Sequence, residues 1–173
     1  MNKNVNIVTD LDGRKIVLIN DIRFKSRRSF DWDTIEEYLK EYIGQFFEII
    51  ETCEKIYIGS DFPDEFCHSE DKINTKGPNL RAKANAATAI GKLIQVASNR
   101  TVYPDYNEKH GSKAKYGWYH YNTRFGLPVY NDTGELVRYN IFSARMLIRR
   151  DKNKNLYLYD FVRIKKETCS PPR

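Results

Sequence analysis

The chain has 173 residues, 40% of them hydrophobic and 30% charged, with a net charge of +6 at pH 7. This is the composition of a globular protein with one core, so a single domain over residues 1–173 is expected and a disordered polyampholyte is excluded. No apolar run approaches the ~18–20 residues that span a bilayer, so no membrane association is expected.

The opening residues, MNKNVNIVTDLDG, lack the apolar stretch of a secretory leader. Cys53, Cys67 and Cys169 follow no paired spacing and fit reduced thiols, which makes the cytoplasm the expected location. The charge is unevenly laid out. Residues 1–75 hold 10 Lys+Arg and 16 Asp+Glu, a balance of −6, and residues 76–173 hold 19 and 7, a balance of +12. One half repels phosphates and the other attracts them.

In chain order, residues 5–8 and 15–19 are short β-rich runs joined by Asp-Leu-Asp-Gly, which predicts a hairpin. Residues 22–28 form a basic connector. A helix is expected from Asp31 or Asp33, where Asp33-x-x-Glu36 has capping-box spacing, and its apolar stripe continues through Ile35, Leu39, Tyr42, Ile43, Phe46 and Ile50. Its other face is acidic, with Glu36, Glu37, Glu41 and Glu48. A short strand follows at 55–59, then SDFPDEFCHSED (60–71), which reads as a loop. The carboxylates and His68 of this loop could in principle hold a hard divalent ion, but they match no ligand spacing, so no metal and no cofactor is expected.

After the Lys-Gly-Pro turn, LRAKANAATAIGKLIQVASN predicts one alanine-rich helix over 79–99, with Arg81, Lys83 and Lys92 turned away from its apolar side. Beyond it the pattern is β. Strands are expected at 115–123 with a continuation at 125–130, at 136–149, and at 156–165, joined by NDTG and DKNKN turns. The predicted class is α+β: an N-terminal hairpin and two helices packed on a C-terminal antiparallel sheet.

Residues 107–124 (NEKHGSKAKYGWYHYNTR) concentrate imidazoles, cations and rings in one segment. Cations neutralise phosphates, rings stack on bases, and imidazoles move protons near neutral pH. Period-two reading places Tyr116, Trp118, His120, Asn122 and Arg124 on one side of the first strand. Tyr139, Ser143, Arg145 and Arg149 share a side of the second. Tyr157, Tyr159, Phe161, Arg163 and Lys165 share a side of the third, opposite Leu156, Leu158, Asp160, Val162 and Ile164. If the strands pair in order, one open face gathers His120, Arg124, Tyr139, Arg145, Tyr159 and Arg163. Metal-free RNA cleavage there would use His120 or His110 as base or acid, Arg124 for developing charge and Tyr159 as a stacking group or acid. Lys113, Lys115, Tyr116, Trp118, Tyr139, Arg145, Arg163 and Lys165 are the candidate nucleic-acid contacts. Glu37, Glu41, Asp61, Asp64 and Glu65 could dock on a cationic protein. No phosphate-binding glycine loop, H-E-x-x-H or G-x-S-x-G motif occurs.

GSDFPDEF (59–66), RAKANAATAI (81–90), KYGWYHYNTRFGLPVY (115–130) and LYLYDFVRIKKE (156–167) resemble small proteins carried by phages and conjugative elements of gut bacteria. The order of two helices and a basic sheet is similar to the barnase–EndoU–colicin–RelE-like RNase fold found in polyvalent proteins of mobile elements. Proteins of this size also include anti-CRISPR inhibitors of Cas9. The resemblance implies an anti-defence protein that engages Cas9 with its guide RNA or DNA. The other readings are a metal-independent RNase of toxin type and a plain protein-binding module.

Overall fold

The computed structural model describes residues 4–25, 30–105 and 110–167. Part of the 22–28 connector, Lys109 and Cys169 lie outside those residues. Strands dominate. Eight of them form one sheet in the order β1 (Val5–Thr9), β2 (Lys15–Ile19), β6 (Trp118–Tyr130), β7 (Leu136–Arg150), β8 (Leu156–Lys166), β4 (Lys55–Ile58), β3 (Phe46–Glu48), with β5 (Ser98–Tyr103) pairing β6 beside β2. Strands β1 (Val5–Thr9) and β2 (Lys15–Ile19) make an antiparallel hairpin. Strands β6 (Trp118–Tyr130), β7 (Leu136–Arg150) and β8 (Leu156–Lys166) form a long antiparallel meander.

The sheet is mixed rather than purely antiparallel. The first hairpin joins β6 in parallel through Val17 and Phe125. On the far side β4 (Lys55–Ile58) joins β8 in parallel, with β3 (Phe46–Glu48) antiparallel outside it.

Helix α1 spans Trp32–Lys40, capped by Asp31, whose carboxylate accepts from the Thr34 backbone N–H at 3.3 Å and hydroxyl at 2.8 Å. Ile35 and Leu39 are its buried stripe. The helix does not run on to Ile50. Gly44 sits at φ 89, which ends any helix, and its N–H donates to the Ile58 carbonyl, steering Phe46–Glu48 into pairing with β4. Phe46 and Ile50 are accordingly exposed, and Ile49 is the buried residue instead.

The acidic 60–71 stretch is not an irregular loop. It forms α2 (Phe62–His68) and α3 (Glu70–Asn74). Pro63 suits a first helical turn, and Phe62 and Phe66, four apart, both pack edge-on against Phe161. The alanine-rich segment is likewise broken. Helix α4 (Pro78–Ala86) tightens into a 3₁₀ turn at Ala87–Ala89, where the Thr88 hydroxyl donates back to the Asn85 carbonyl. Helix α5 (Ile90–Gln95) follows, and Ser98–Tyr103 leaves it as strand β5.

Lys83 is not turned to solvent. It is fully buried, 3.1 Å from Asp160 of β8, and its ammonium lies over the Phe66 ring at 4.8 Å. Asp160 also accepts from Ser69 at 3.1 Å and from the Phe161 N–H at 2.7 Å. Burial pushes this carboxyl upward, while the ammonium and the two donors pull against it. Around Asp160 the β7–β8 register shifts twice, and Arg163 lies between the shifted pairs at φ 52. A bulge reverses the alternation of a strand. Phe161 therefore enters the core and Val162 leaves it, the reverse of the period-two expectation.

Breaking a buried ion pair from one side leaves an uncompensated charge, which costs about 3–5 kcal/mol. Lys83→Met should lose stability of that order in urea unfolding, and adding Asp160→Asn should restore most of it. A single variant as stable as wild type would contradict the role given to the pair.

Candidate nucleic-acid interface

The β6–β7 register sets His120 opposite Leu147, Asn122 opposite Arg145 and Arg124 opposite Ser143. These side chains alternate with Tyr121, Phe125, Met146 and Ile148, which are buried in the core, so they occupy the sheet's other face. β8 brings Val162 opposite Arg145 and Lys165 opposite Ser143, and β5 brings Thr101 opposite His120. An open cleft of about 780 Å³ runs over this face, lined among others by Asn122, Arg124, Ser143, Arg145, Arg163 and Lys165.

His120 is half-buried beside the cleft. Its ring stacks on Tyr103 of β5 at 4.2 Å and 28°. Nδ1 is buried and has no hydrogen-bond partner among the described residues. Desolvation first, and then the charges of Arg145 and Arg163, hold its pKa down at about 4. The imidazole is thus neutral at pH 7, without the imidazolium proton that a general acid would give.

The arginines of this face are not equivalent. Arg124 meets Glu167 through two hydrogen bonds of 2.8 Å and Asp10 through one of 2.6 Å. These bonds raise its own pKa and hold both carboxyls below their ordinary values. Its charge is neutralised, and it ties the β1–β2 turn to the end of β8. Arg145, Arg163 and Lys165 have no ion pair among the described residues, and Arg163 and Lys165 are exposed.

The remaining expected residues fall into other clusters. His110, Trp118 and Tyr159 form a three-ring cage with centroids 4.9–5.3 Å apart. Asp105 fastens it by accepting from the indole N–H and the His110 backbone N–H, each at 3.1 Å. Trp118 is only 8% exposed, so it holds the sheet end together and offers no stacking platform. Burial, then Glu65, pushes the Tyr159 phenol above its usual range, which makes it a poor acid.

Tyr116 lies outside β6, because Gly117 turns the chain at φ 88, where a Cβ would run into the Tyr103 carbonyl. The ring stands instead among Lys115, Arg150 and Lys154 at 5.5–6.0 Å. Lys113 and Lys115 are exposed, and the Lys113 carbonyl accepts from Arg149. Tyr139 lies towards the first hairpin, its hydroxyl on Asn20 at 2.5 Å.

Of the acidic docking candidates, Glu37, Glu41 and Asp64 are exposed, with Glu37 paired to Lys40. Asp61 is turned inward, 3.1 Å from Arg149, and Glu65 is half-buried against Tyr159. Among the described residues, one group sets three metal-ligating atoms within 4.8 Å of one another: Asp33 and Glu36 of α1 with His68 of α2. A direct His68–Glu36 contact of 3.1 Å accounts for that proximity. Of the acidic stretch only His68 belongs to this group. Burial raises the Cys67 thiol to about 12, so it is inert.

Sequence reasoning missed Tyr103, Ser98 and the cleft residues Arg14 and Lys15. The Thr101/Tyr103 alternation was the available signal, obscured by reading a single helix to residue 99. No family model, curated protein or solved structure matches the chain.

An NMR titration should place the His120 midpoint near 4, and the Arg145→Ala/Arg163→Ala pair should raise it by removing two repelling charges. Since the unfolded histidine titrates near 6.5, this group's contribution to stability should be present above that value and fade as the pH falls towards 4. The Arg124 hub acts lower. Its contribution is present above the ordinary carboxylate values of 3.8 and 4.5 and is lost as acid passes the depressed ones, so Glu167→Gln should lower the melting midpoint at neutral pH and flatten acid unfolding.

Proposed function

We propose that the chain is a nucleic-acid-binding protein that seats a phosphate backbone of RNA or DNA in the cleft of the open sheet face. One observation carries this reading: Arg145, Arg163 and Lys165 stand together on that face with no ion pair among the described residues, while neighbouring Arg124 is neutralised. Unpaired cations spaced along a groove beside polar Asn122 and Ser143 are suited to successive phosphates. The exposed ring of Tyr103, backed by His120, offers a face for a base.

The geometry favours binding over cleavage. A metal-free RNase needs an acid as well as a base, and His120 is not an imidazolium at neutral pH, Tyr159 releases its proton reluctantly, and Arg124 has its charge already satisfied. The partner we propose for the whole molecule is a Cas9–guide complex of a bacterial defence system. This rests on the sequence resemblance to mobile-element inhibitors and on the charge division between the halves of the chain. The basic face would meet guide RNA or DNA, and exposed Glu37, Glu41 and Asp64 would meet cationic protein.

Affinity for a labelled single-stranded RNA should fall steeply with salt, and removing two phosphate contacts should reduce the log–log slope by about 1.4. Arg145→Ala/Arg163→Ala should therefore bind roughly tenfold more weakly at low salt with that shallower slope. An unchanged slope would count against the cleft. RNA should stay intact in EDTA, and added protein should suppress Cas9 cleavage. Undiminished cleavage at excess protein would remove the Cas9 partner while leaving nucleic-acid binding in place.

A further inference from the structure

Beside the cleft lies one titratable group whose surroundings suit a nearby anion. His120 lies between strands that each bring a charge or a ring to it: Tyr103 from β5, Arg145 from β7 and Arg163 from β8. Among the described residues no carboxylate acts on it, and Asp71 of α3 takes the Arg163 backbone N–H and not its guanidinium. The ring is held in place by the Tyr103 stack, and its Nδ1 faces no acceptor or donor among the described residues. A buried imidazole nitrogen without a partner is costly, and two adjacent cations forbid relieving it by protonation. A phosphate seated on those cations relieves the second obstacle: it neutralises their field and offers an acceptor to the N–H at Nε2, the ring nitrogen that is not buried without a partner.

We propose that His120 couples phosphate binding to proton uptake: a phosphodiester anion bound by Arg145 and Arg163 brings one proton from solvent onto the His120 imidazole, which then donates a charge-assisted hydrogen bond to it. This rests on the nucleic-acid reading of the same cleft and adds a property that reading does not require. Charge balances, since one anion and one proton enter a site that already holds two fixed cations. The consequence is a protein that grips nucleic acid more firmly as the pH falls, through one residue and not through a general rise in positive charge.

The magnitude follows from linkage. If a bound phosphate only returns His120 to the ordinary histidine value, each unit of recovered pKa is worth up to tenfold in affinity at a pH below it. Affinity for a labelled oligouridylate, at constant ionic strength, should be on the order of ten- to thirtyfold higher at about pH 5 than at about pH 7.5. In His120→Gln that ratio should collapse towards one. In His110→Gln, which alters the ring cage, it should persist. The His120 ring resonances of the wild type should also titrate at higher pH with oligouridylate present than without it. Backbone NMR spectra of each variant establish that it is folded before the ratios are compared. A wild-type ratio near one, or a ratio that survives in folded His120→Gln, overturns the coupling while binding itself stands. Absence of binding at either pH overturns the coupling and the nucleic-acid reading together.

Discussion

The structure depends on a buried charge pair between helix α4 and strand β8. Lys83 of α4 and Asp160 of β8 are both removed from water, and each would be ruinous alone. Ser69, which caps α3, also bonds Asp160, so one carboxylate joins the start of α3, the middle of α4 and the third strand of the meander. The pair also sits where β8 departs from regular pairing. To place Asp160 and Phe161 both inside, the strand shifts register on either side of them, and one consequence is that Arg163 adopts a left-handed backbone beside the cleft. A requirement of the core thereby positions a cation of the surface.

The open face shows how a protein sorts its positive charges. Arg149 is spent inside, on Asp61, on the Lys113 carbonyl and over the Tyr157 ring at 4.3 Å. Arg124 is spent on the hairpin and the end of β8. Among the described residues, Arg145, Arg163 and Lys165 of this face make no ion pair, and a neutral histidine lies beside them. The field of these cations explains the attraction we infer for phosphates and, after burial, which is the larger cause, helps keep His120 uncharged.

The acidic N-terminal half has a comparable division. Asp61 and Glu65 serve the fold, close to Arg149 and Tyr159, and Glu37, Glu41 and Asp64 remain at the surface. A net balance counted along the chain does not distinguish the two groups, since a carboxylate that holds an internal arginine contributes little to what a partner meets.

Local pattern was enough for the meander. Strands β6, β7 and β8, the turns between them and the alternation of His120, Asn122 and Arg124 against Tyr121, Thr123 and Phe125 are all legible in the sequence, because turn chemistry and side-chain alternation act over a few neighbouring residues. Tertiary structure alone decided which of those residues are available. Arg124 finds Glu167 across 43 positions and Asp10 across 114, and Lys83 finds Asp160 across 77. Such partnerships leave no periodic trace. The bulges of β8 are equally untraceable, and at the early end of α1 the pairing of β3 with β4 overrode a persuasive helical stripe. Sequence thus determined that this chain would carry a strand face rich in cations and rings, and the fold determined which of its cations stay free, because neutralisation is a property of what lies opposite in space.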